Sequence, residues 1–356
     1  MALMQHQAFA ERLVAWQQAH GRHDLPWQVS DPYRVWLSEI MLQQTQVSSV
    51  LQYYQRFLAR FPTLASLADA SLDDVLALWS GLGYYSRARN LHRAAQMIMT
   101  QFSGDFPRDR GLIETLPGVG RSTAAAIAAF AFGQREAILD GNVKRVLTRV
   151  YGIHGFPGDK KVETALWELA ENLLPERDIA SYTQGLMDLG ATLCRRGKPD
   201  CGRCPFRGMC VAHDEDRVAE LPTPRPKKAQ PTRHATLLLA VFRGRVFMER
   251  RPPSGIWGGL LSLPECTGQE EAEHWLARAG QGDLLPSWSE VEHVFTHFRL
   301  IITPQPIMMS ALYPDDASDP KASPSGACWM AIDEAVDAGV PAPVRRLLLK
   351  LAGGTI

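Results

Sequence analysis

The sequence predicts a multidomain protein, an all-α half followed by an α+β half. Three observations carry that expectation. Residues 1–220 hold apolar repeats of helical period and no strand signal. Residues 221–230 read Leu-Pro-Thr-Pro-Arg-Pro-Lys-Lys-Ala-Gln, a Pro/Lys stretch that suits a linker. Beyond it the texture changes, with two β-type runs flanking Gly244 as in a hairpin. A chain of 356 residues is long enough for two or three cores.

In chain order, Phe9, Leu13 and Trp16 repeat at helical spacing within 5–20, and Leu25-Pro26-Trp27 breaks the pattern. Asp31 is an N-cap candidate with Pro32 at the first helical position. Tyr33, Trp36, Leu37 and Ile40 form the apolar stripe of that helix, and Glu39, Gln43 and Gln46 fall on another ridge. Apolar Leu37, Ile40, Met41 and Leu42 surround Glu39, so partial burial and a raised pKa are expected, as a general acid requires. Helices follow at 47–61, ended by Pro62, and at 71–79, capped by Ser71 with Asp73 and Asp74 in the first turn. Gly81-Leu82-Gly83-Tyr84-Tyr85 is a tight turn presenting aromatics ahead of Arg87, Arg89 and Arg93, a combination able to stack on bases and pair with phosphates, or equally a core turn with a solvated helix behind it. Further helices are expected at 162–174 and 179–193. In the second half, strands are expected at 236–242, 245–250, 291–302 and 307–312, and helices at 270–279 and 344–351.

Two motifs carry chemistry. Leu116-Pro117-Gly118-Val119-Gly120 is a Gly-rich turn at 116–121 feeding an Ala-rich helix that opens with Arg121, Ser122 and Thr123. Free N–H groups and the positive end of a helix dipole suit a phosphate there. Twenty residues past Gly120 stands Asp140, either a capping residue or an isolated acid for chemistry on a nucleic acid. The second motif is Cys194, Cys201, Cys204 and Cys210, spaced C-x6-C-x2-C-x5-C over 194–210. Four thiols this close point to a metal centre: an iron–sulfur cluster, or zinc as the alternative, which usually shows two C-x2-C pairs. Cys266 and Cys328 lie apart and are expected to be core thiols.

Formal charge is balanced overall but not along the chain. Residues 1–233 carry 28 Lys+Arg against 24 Asp+Glu, and residues 234–356 carry 10 against 14. The basic excess of the first part is compatible with a polyanion partner. No run is long enough to span a bilayer and no secretory leader is evident, so a cytoplasmic protein with no membrane partner is expected.

The hairpin, the distant Asp and the four-Cys loop together resemble the helix–hairpin–helix base-excision glycosylases that carry a [4Fe–4S] cluster. Longer motifs narrow the resemblance to the MutY-type adenine DNA glycosylases: Trp36-Leu37-Ser38-Glu39-Ile40-Met41-Leu42-Gln43-Gln44-Thr45, Gly81-Leu82-Gly83-Tyr84-Tyr85, Leu139-Asp140-Gly141-Asn142-Val143 and Arg251-Pro252-Pro253-Ser254-Gly255. The resemblance implies an all-α glycosylase domain at 1–221, a linker at 222–234 and a Nudix-like 8-oxoguanine-recognition domain at 235–356. It implies hydrolysis of the N-glycosidic bond of adenine mispaired with 8-oxoguanine or guanine, by a monomer on double-stranded DNA. Glu39 and Asp140 match the catalytic carboxylates. Gln44 and Tyr84 match residues that wedge into the duplex. Gly118, Gly120 and Ser122 match hairpin positions on the DNA backbone, with a monovalent cation at the hairpin carbonyls. Trp27, Leu42 and Gln184 match positions around the adenine pocket, and the four cysteines match the cluster ligands. Phe295-Thr296-His297 stands where the family reads Phe-Ser-His against 8-oxoguanine.

Two departures sharpen this. In the related bifunctional endonuclease III enzymes the Ser122 slot holds a lysine that forms a Schiff base; serine cannot, so a monofunctional enzyme is expected and a glycosylase/AP lyase is the alternative. In the Nudix-like half the metal-binding Glu pair is replaced by Ala277 and Arg278, so binding rather than hydrolysis is expected of it.

Overall fold

The computed structural model describes residues 2–226, 230–313 and 326–354. Part of the expected linker, Lys227 to Ala229, lies outside the described residues. The chain divides into two compact units: Met1–Ala68 with Arg93–Lys227, and Asp69–His92 with Lys228–Ile356. The second unit thus takes in a segment that the sequence reading placed in the helical half.

The helices run α1 (Ala2–His20), α2 (Pro32–Leu42), α3 (Val47–Arg60), α4 (Leu64–Ala68), α5 (Leu72–Trp79), α6 (Ser86–Gln101), α7 (Arg110–Glu114), α8 (Arg121–Phe132), α9 (Gly141–Val150), α10 (Lys160–Asn172), α11 (Ile179–Thr192) and the single turn α12 (Val211–Asp214). Local chemistry explains several starts. The Asp31 carboxylate accepts the Arg34 N–H at 3.1 Å with Pro32 behind it, and the Ser71 hydroxyl accepts the Asp74 N–H at 3.1 Å. One expectation fails locally. α2 ends at Leu42 because Gln44 turns into the left-handed region at φ 58°, so Gln43 and Gln46 leave its ridge, and Gln46 caps α3.

α8 is the centre of the helical unit. Ala124 to Ala129 are buried on every side, and their short side chains let α2, α7 and α11 pack around it. α11 approaches α9 closely at Gly190, where a Cβ would lie 2.5 Å from the Asn142 Cβ. Phe9 of α1 stacks on Phe206 at 4.3 Å, which seats the cysteine loop in the core of the first unit.

The second unit is built on an eight-stranded mixed sheet: β1 (Thr232–Phe242), β2 (Arg245–Arg250), β3 (Leu261–Ser262), β4 (Glu265–Cys266), β5 (Gly280–Leu284), β6 (Val291–Val294), β7 (Arg299–Leu312) and β8 (Cys328–Ala331). The central path is β3-β2-β1-β7-β5, with β4 on β1, β6 on β7 and β8 on β2. β1 and β7 are parallel, from Thr232 opposite Arg299 to Val241 opposite Met308. Burial on both faces makes β1 read as one apolar run. The residues read as segments 291–302 and 307–312 instead form short β6, a turn, and one long β7 that continues through Pro304 and Pro306. α13 (Gln269–Ala279) covers the sheet through Ala272, Ala279 and an edge-on Trp275–Phe247 contact at 5.4 Å; α14 (Ile332–Asp337) and α15 (Ala342–Ala352) complete the unit. Among the described residues no helix is long and apolar enough to cross a membrane.

Asp69–His92 joins this unit through specific bonds. Arg250 makes a bidentate pair with Asp73 at 2.9 and 2.8 Å, and the Val340 carbonyl accepts both the Ser80 and the Tyr85 hydroxyls at 3.1 Å.

Candidate active site

In the helical unit a cleft of ≈ 500 Å³ opens over α2, α11 and the 21–30 loop. Glu39, Trp27, Leu42 and Gln184 all line it. The structure therefore brings into one cavity the sequence-predicted acid and the three pocket candidates. Trp27 is 6 % exposed and packs edge-on against Tyr54 at 5.3 Å, giving the cleft a rigid apolar wall.

Glu39 is half-buried at the cleft surface, and its carboxyl accepts no hydrogen bond among the described residues. Burial pushes it up to about 8, and the nearby charge of Asp140 adds to the rise. Asp140 sits differently. Its side chain caps α9, accepting the Val143 N–H at 2.8 Å, with the Asn142 amide at 3.5 Å. Burial raises its pKa too, while the Val143 and Asn142 backbone donors and the Arg145 guanidinium pull it back toward ionisation. The arrangement puts a carboxyl that favours its proton beside one that is supported as an anion, a combination suited to general-acid and cation-stabilising work.

Around Asp140 the helix start is fastened on two sides. The Ser122 hydroxyl accepts the Leu139 N–H at 3.0 Å, immediately before the acid. Arg145 donates to Asn142 Oδ1 at 2.8 Å, the Gly190 carbonyl at 2.6 Å and the Cys194 carbonyl at 2.7 Å. Sequence reading missed this role of Arg145; its position one helical turn after Gly141 was the available signal.

At the hairpin Gly118 adopts φ 80°, a region open to glycine at little cost. Gly118 and Gly120 are exposed, and their N–H groups donate to nothing among the described residues. Gln43 reaches over from the polar turn, its amide 3.4 Å from both the Gly118 carbonyl and the Thr123 hydroxyl. Gln44 is exposed in that turn.

The four cysteines line one cavity with Val146, Arg149, Leu189, Leu193 and Phe206. Buried Arg149 ties their loop down, donating to the Leu221 carbonyl at 2.8 Å and the Arg195 carbonyl at 2.9 Å, with its guanidinium 3.4 Å from Cys194 Sγ. Among the described residues no three His, Cys, Asp or Glu side chains converge so as to hold a single metal ion.

In the second unit, Tyr84 is 48 % exposed at the tip of its turn, at φ 49°. Of the two readings open for the arginines beside it, phosphate contact or a core turn, Arg87 follows the second. Arg87 is buried, with Trp79 and Tyr84 rings 5.3 and 5.4 Å from its guanidinium, and it donates to the Gly83 carbonyl at 3.1 Å; Arg89 donates to the Gly258 carbonyl. Arg87 thus holds the turn, while Arg89 ties its own segment to Gly258. Thr296 and His297 are exposed on the turn between β6 and β7, above a group of rings from Trp257, His293, Phe295 and Phe298. Glu265 pairs with Arg251 at 2.5 Å and Glu271 accepts the Thr267 N–H at 2.7 Å, so both acids near the departed Glu pair serve the protein itself.

Comparison with known proteins matches this geometry. Residues 37–172 match the family model of the HhH-GPD superfamily base excision DNA repair proteins, and residues 235–350 match that of the NUDIX domain. The adenine DNA glycosylase of Buchnera aphidicola subsp. Acyrthosiphon pisum is 37% identical over 342 residues, covering 96% of each chain. The Homo sapiens adenine DNA glycosylase is 31% identical, covering 96% of this chain and 73% of its own. Among solved structures, a thermostable thymine-DNA glycosylase superposes with TM-score 0.54 at 29% identity, covering 59% of this chain and 97% of its own. With a helix–hairpin–helix domain, a Nudix-like domain and near-complete alignment to such enzymes, the chain belongs to the adenine DNA glycosylases, base-excision repair enzymes that hydrolyse N-glycosyl bonds in DNA.

Proposed function

We propose that the protein removes adenine mispaired with 8-oxoguanine or guanine, as a monofunctional glycosylase working as a monomer on duplex DNA. The observation that carries the reading is Glu39, a carboxyl held near pKa 8 in a cleft of ≈ 500 Å³, beside an Asp140 whose anion has backbone donors. An adenine turned out of the stack would enter that cleft. Glu39, protonated at neutral pH, protonates the base at N7 so that it leaves as a neutral purine, and its carboxylate then takes a proton from the attacking water. Asp140 stabilises the oxocarbenium-like sugar.

Gln44 and Tyr84 offset the unstacking of the duplex, which costs a few kcal/mol. The exposed N–H groups of Gly118 and Gly120 receive backbone phosphates, with a monovalent cation at the hairpin carbonyls. Thr296 and His297 contact 8-oxoguanine. Cys194, Cys201, Cys204 and Cys210 would hold a [4Fe–4S] cluster, which supplies a fixed scaffold for the basic loop around it. Four thiols lining one cavity are the donor set that such a cluster would take. The expected setting is cytoplasmic, at the nucleoid.

The absence of lyase chemistry is supported by two placements. Ser122 already uses its hydroxyl on Leu139, and the nearest lysine in sequence, Lys144, is paired with Glu163 at 2.5 Å. Incubation with a duplex bearing adenine opposite 8-oxoguanine should release adenine and leave strands that break only after alkali. Efficient breakage without alkali would exclude the monofunctional reading.

A further inference from the structure

Behind the residues that line the cleft lies a buried carboxylate. Asp188 of α11 has no exposed surface. Its Oδ1 accepts Arg22 Nε at 2.7 Å and lies 2.6 Å from Arg22 Nη2, while Oδ2 accepts the Arg22 backbone N–H at 2.9 Å. The same Oδ1 accepts the amide of Gln184, one turn earlier on the helix, at 2.8 Å. Arg22 and Gln184 line the cleft together with Glu39.

The donor and acceptor inventory leaves little freedom. A guanidinium only donates, and a carboxylate facing it only accepts. The Gln184 side chain must therefore turn its NH₂ toward Asp188, which directs its carbonyl oxygen the other way. Rotating the amide by half a turn would set oxygen against oxygen and leave a buried acceptor without its donor, which costs about 1–3 kcal/mol.

We infer that Asp188, clamped by Arg22, fixes the Gln184 amide so that the cleft offers a carbonyl acceptor, selecting purines that carry an amino group at position 6 over those that carry an oxygen there. This rests on the reading of the cleft as the adenine site. Adenine donates a hydrogen bond from its 6-amino group. Hypoxanthine presents an oxygen at that place, and two acceptors face each other with neither satisfied. Asp188 is a positioning residue: it acts on the base only through Gln184, and Arg22 serves here by holding it in place.

Single-turnover excision by the full-length protein tests this, on duplexes carrying adenine, hypoxanthine or unsubstituted purine at one position opposite 8-oxoguanine. The double variant Arg22→Met/Asp188→Leu removes the clamp without stranding either charge. Its adenine-to-hypoxanthine rate ratio should fall by about tenfold or more, with purine, which has no group at position 6, changed by less than about threefold. Gln184→Met keeps the Arg22–Asp188 pair and should bring adenine down to the rate of purine. Equal losses on all three bases would mean that the clamp merely holds the fold, and would overturn the inference, as would an unchanged adenine-to-purine ratio in Gln184→Met. A wild-type protein that releases no adenine would overturn the reading of the cleft itself, a separate result.

Discussion

Glu39 and Asp140 are both carboxylates that burial pushes toward the protonated form, yet their surroundings treat the proton differently. Glu39 lies in the body of a helix, where the backbone N–H groups are already spent, so nothing offsets its desolvation. Asp140 lies at the start of a helix, where those groups are free, so the Val143 and Asn142 donors and the Arg145 guanidinium work against burial. Helix position, with Arg145, therefore gives Asp140 support for its charged form that Glu39 lacks within the same site.

The largest effect that tests this contrast is on excision. Glu39→Gln should lower the single-turnover rate by about 10²- to 10⁴-fold, by removing the proton donor. Asp140→Asn keeps a capping oxygen but removes the charge, and should lose a comparable factor with duplex binding retained. Near-normal excision by Asp140→Asn would mean that the site needs only the cap. The next effect is on pH. With Glu39 near 8, the rate should fall about tenfold per unit as pH rises above about 8, and the Glu39→Gln residual rate should lack that limb. A limb that persists in the variant assigns it to another group.

The smallest effect is on stability. Unfolded Glu39 titrates near 4.5 and folded Glu39 near 8, so between those values the folded state holds a proton that the unfolded chain has lost. Stability falls as pH rises through that window and levels off above it. Glu39→Gln should thus match wild type below 4.5 and exceed it above 8, by on the order of a few kcal/mol in denaturant melts. For Asp140, replacement by Ala should lose about 1 kcal/mol of capping that Asn retains.

Much of this was legible before any coordinates. Periodicity located the main helices, Asp31 and Ser71 marked helix starts through their own side chains, and the apolar neighbours of Glu39 announced its burial. What escaped notice depends on distant partners. Asp188 looked like one more helical acid, although its spacing from Gln184 and its neighbours Leu186, Met187 and Leu189 hinted at a buried role; only Arg22, far away in sequence, makes it a clamp. Arg87 next to Tyr84 suited phosphate binding and a core turn equally, and only the folded turn that buries it decides for the second. The membership of Asp69–His92 in the second unit was invisible for the same reason, since local pattern is silent on which distant strand a helix will meet.

That membership has a consequence for synthesis. The hydroxyls of Ser80 and Tyr85 share one acceptor, the Val340 carbonyl, and Asp73 waits for Arg250. A ribosome delivers those partners only after more than a hundred further residues, so while the helical half emerges the Tyr84 turn has its local bonds, such as Arg87 to Gly83, but not these distant ones. Nascent chains stalled before Arg250 should leave this segment open to protease, and chains released past Val340 should protect it. The aromatic tip would then gain its final anchors later than the helices that precede it in the chain.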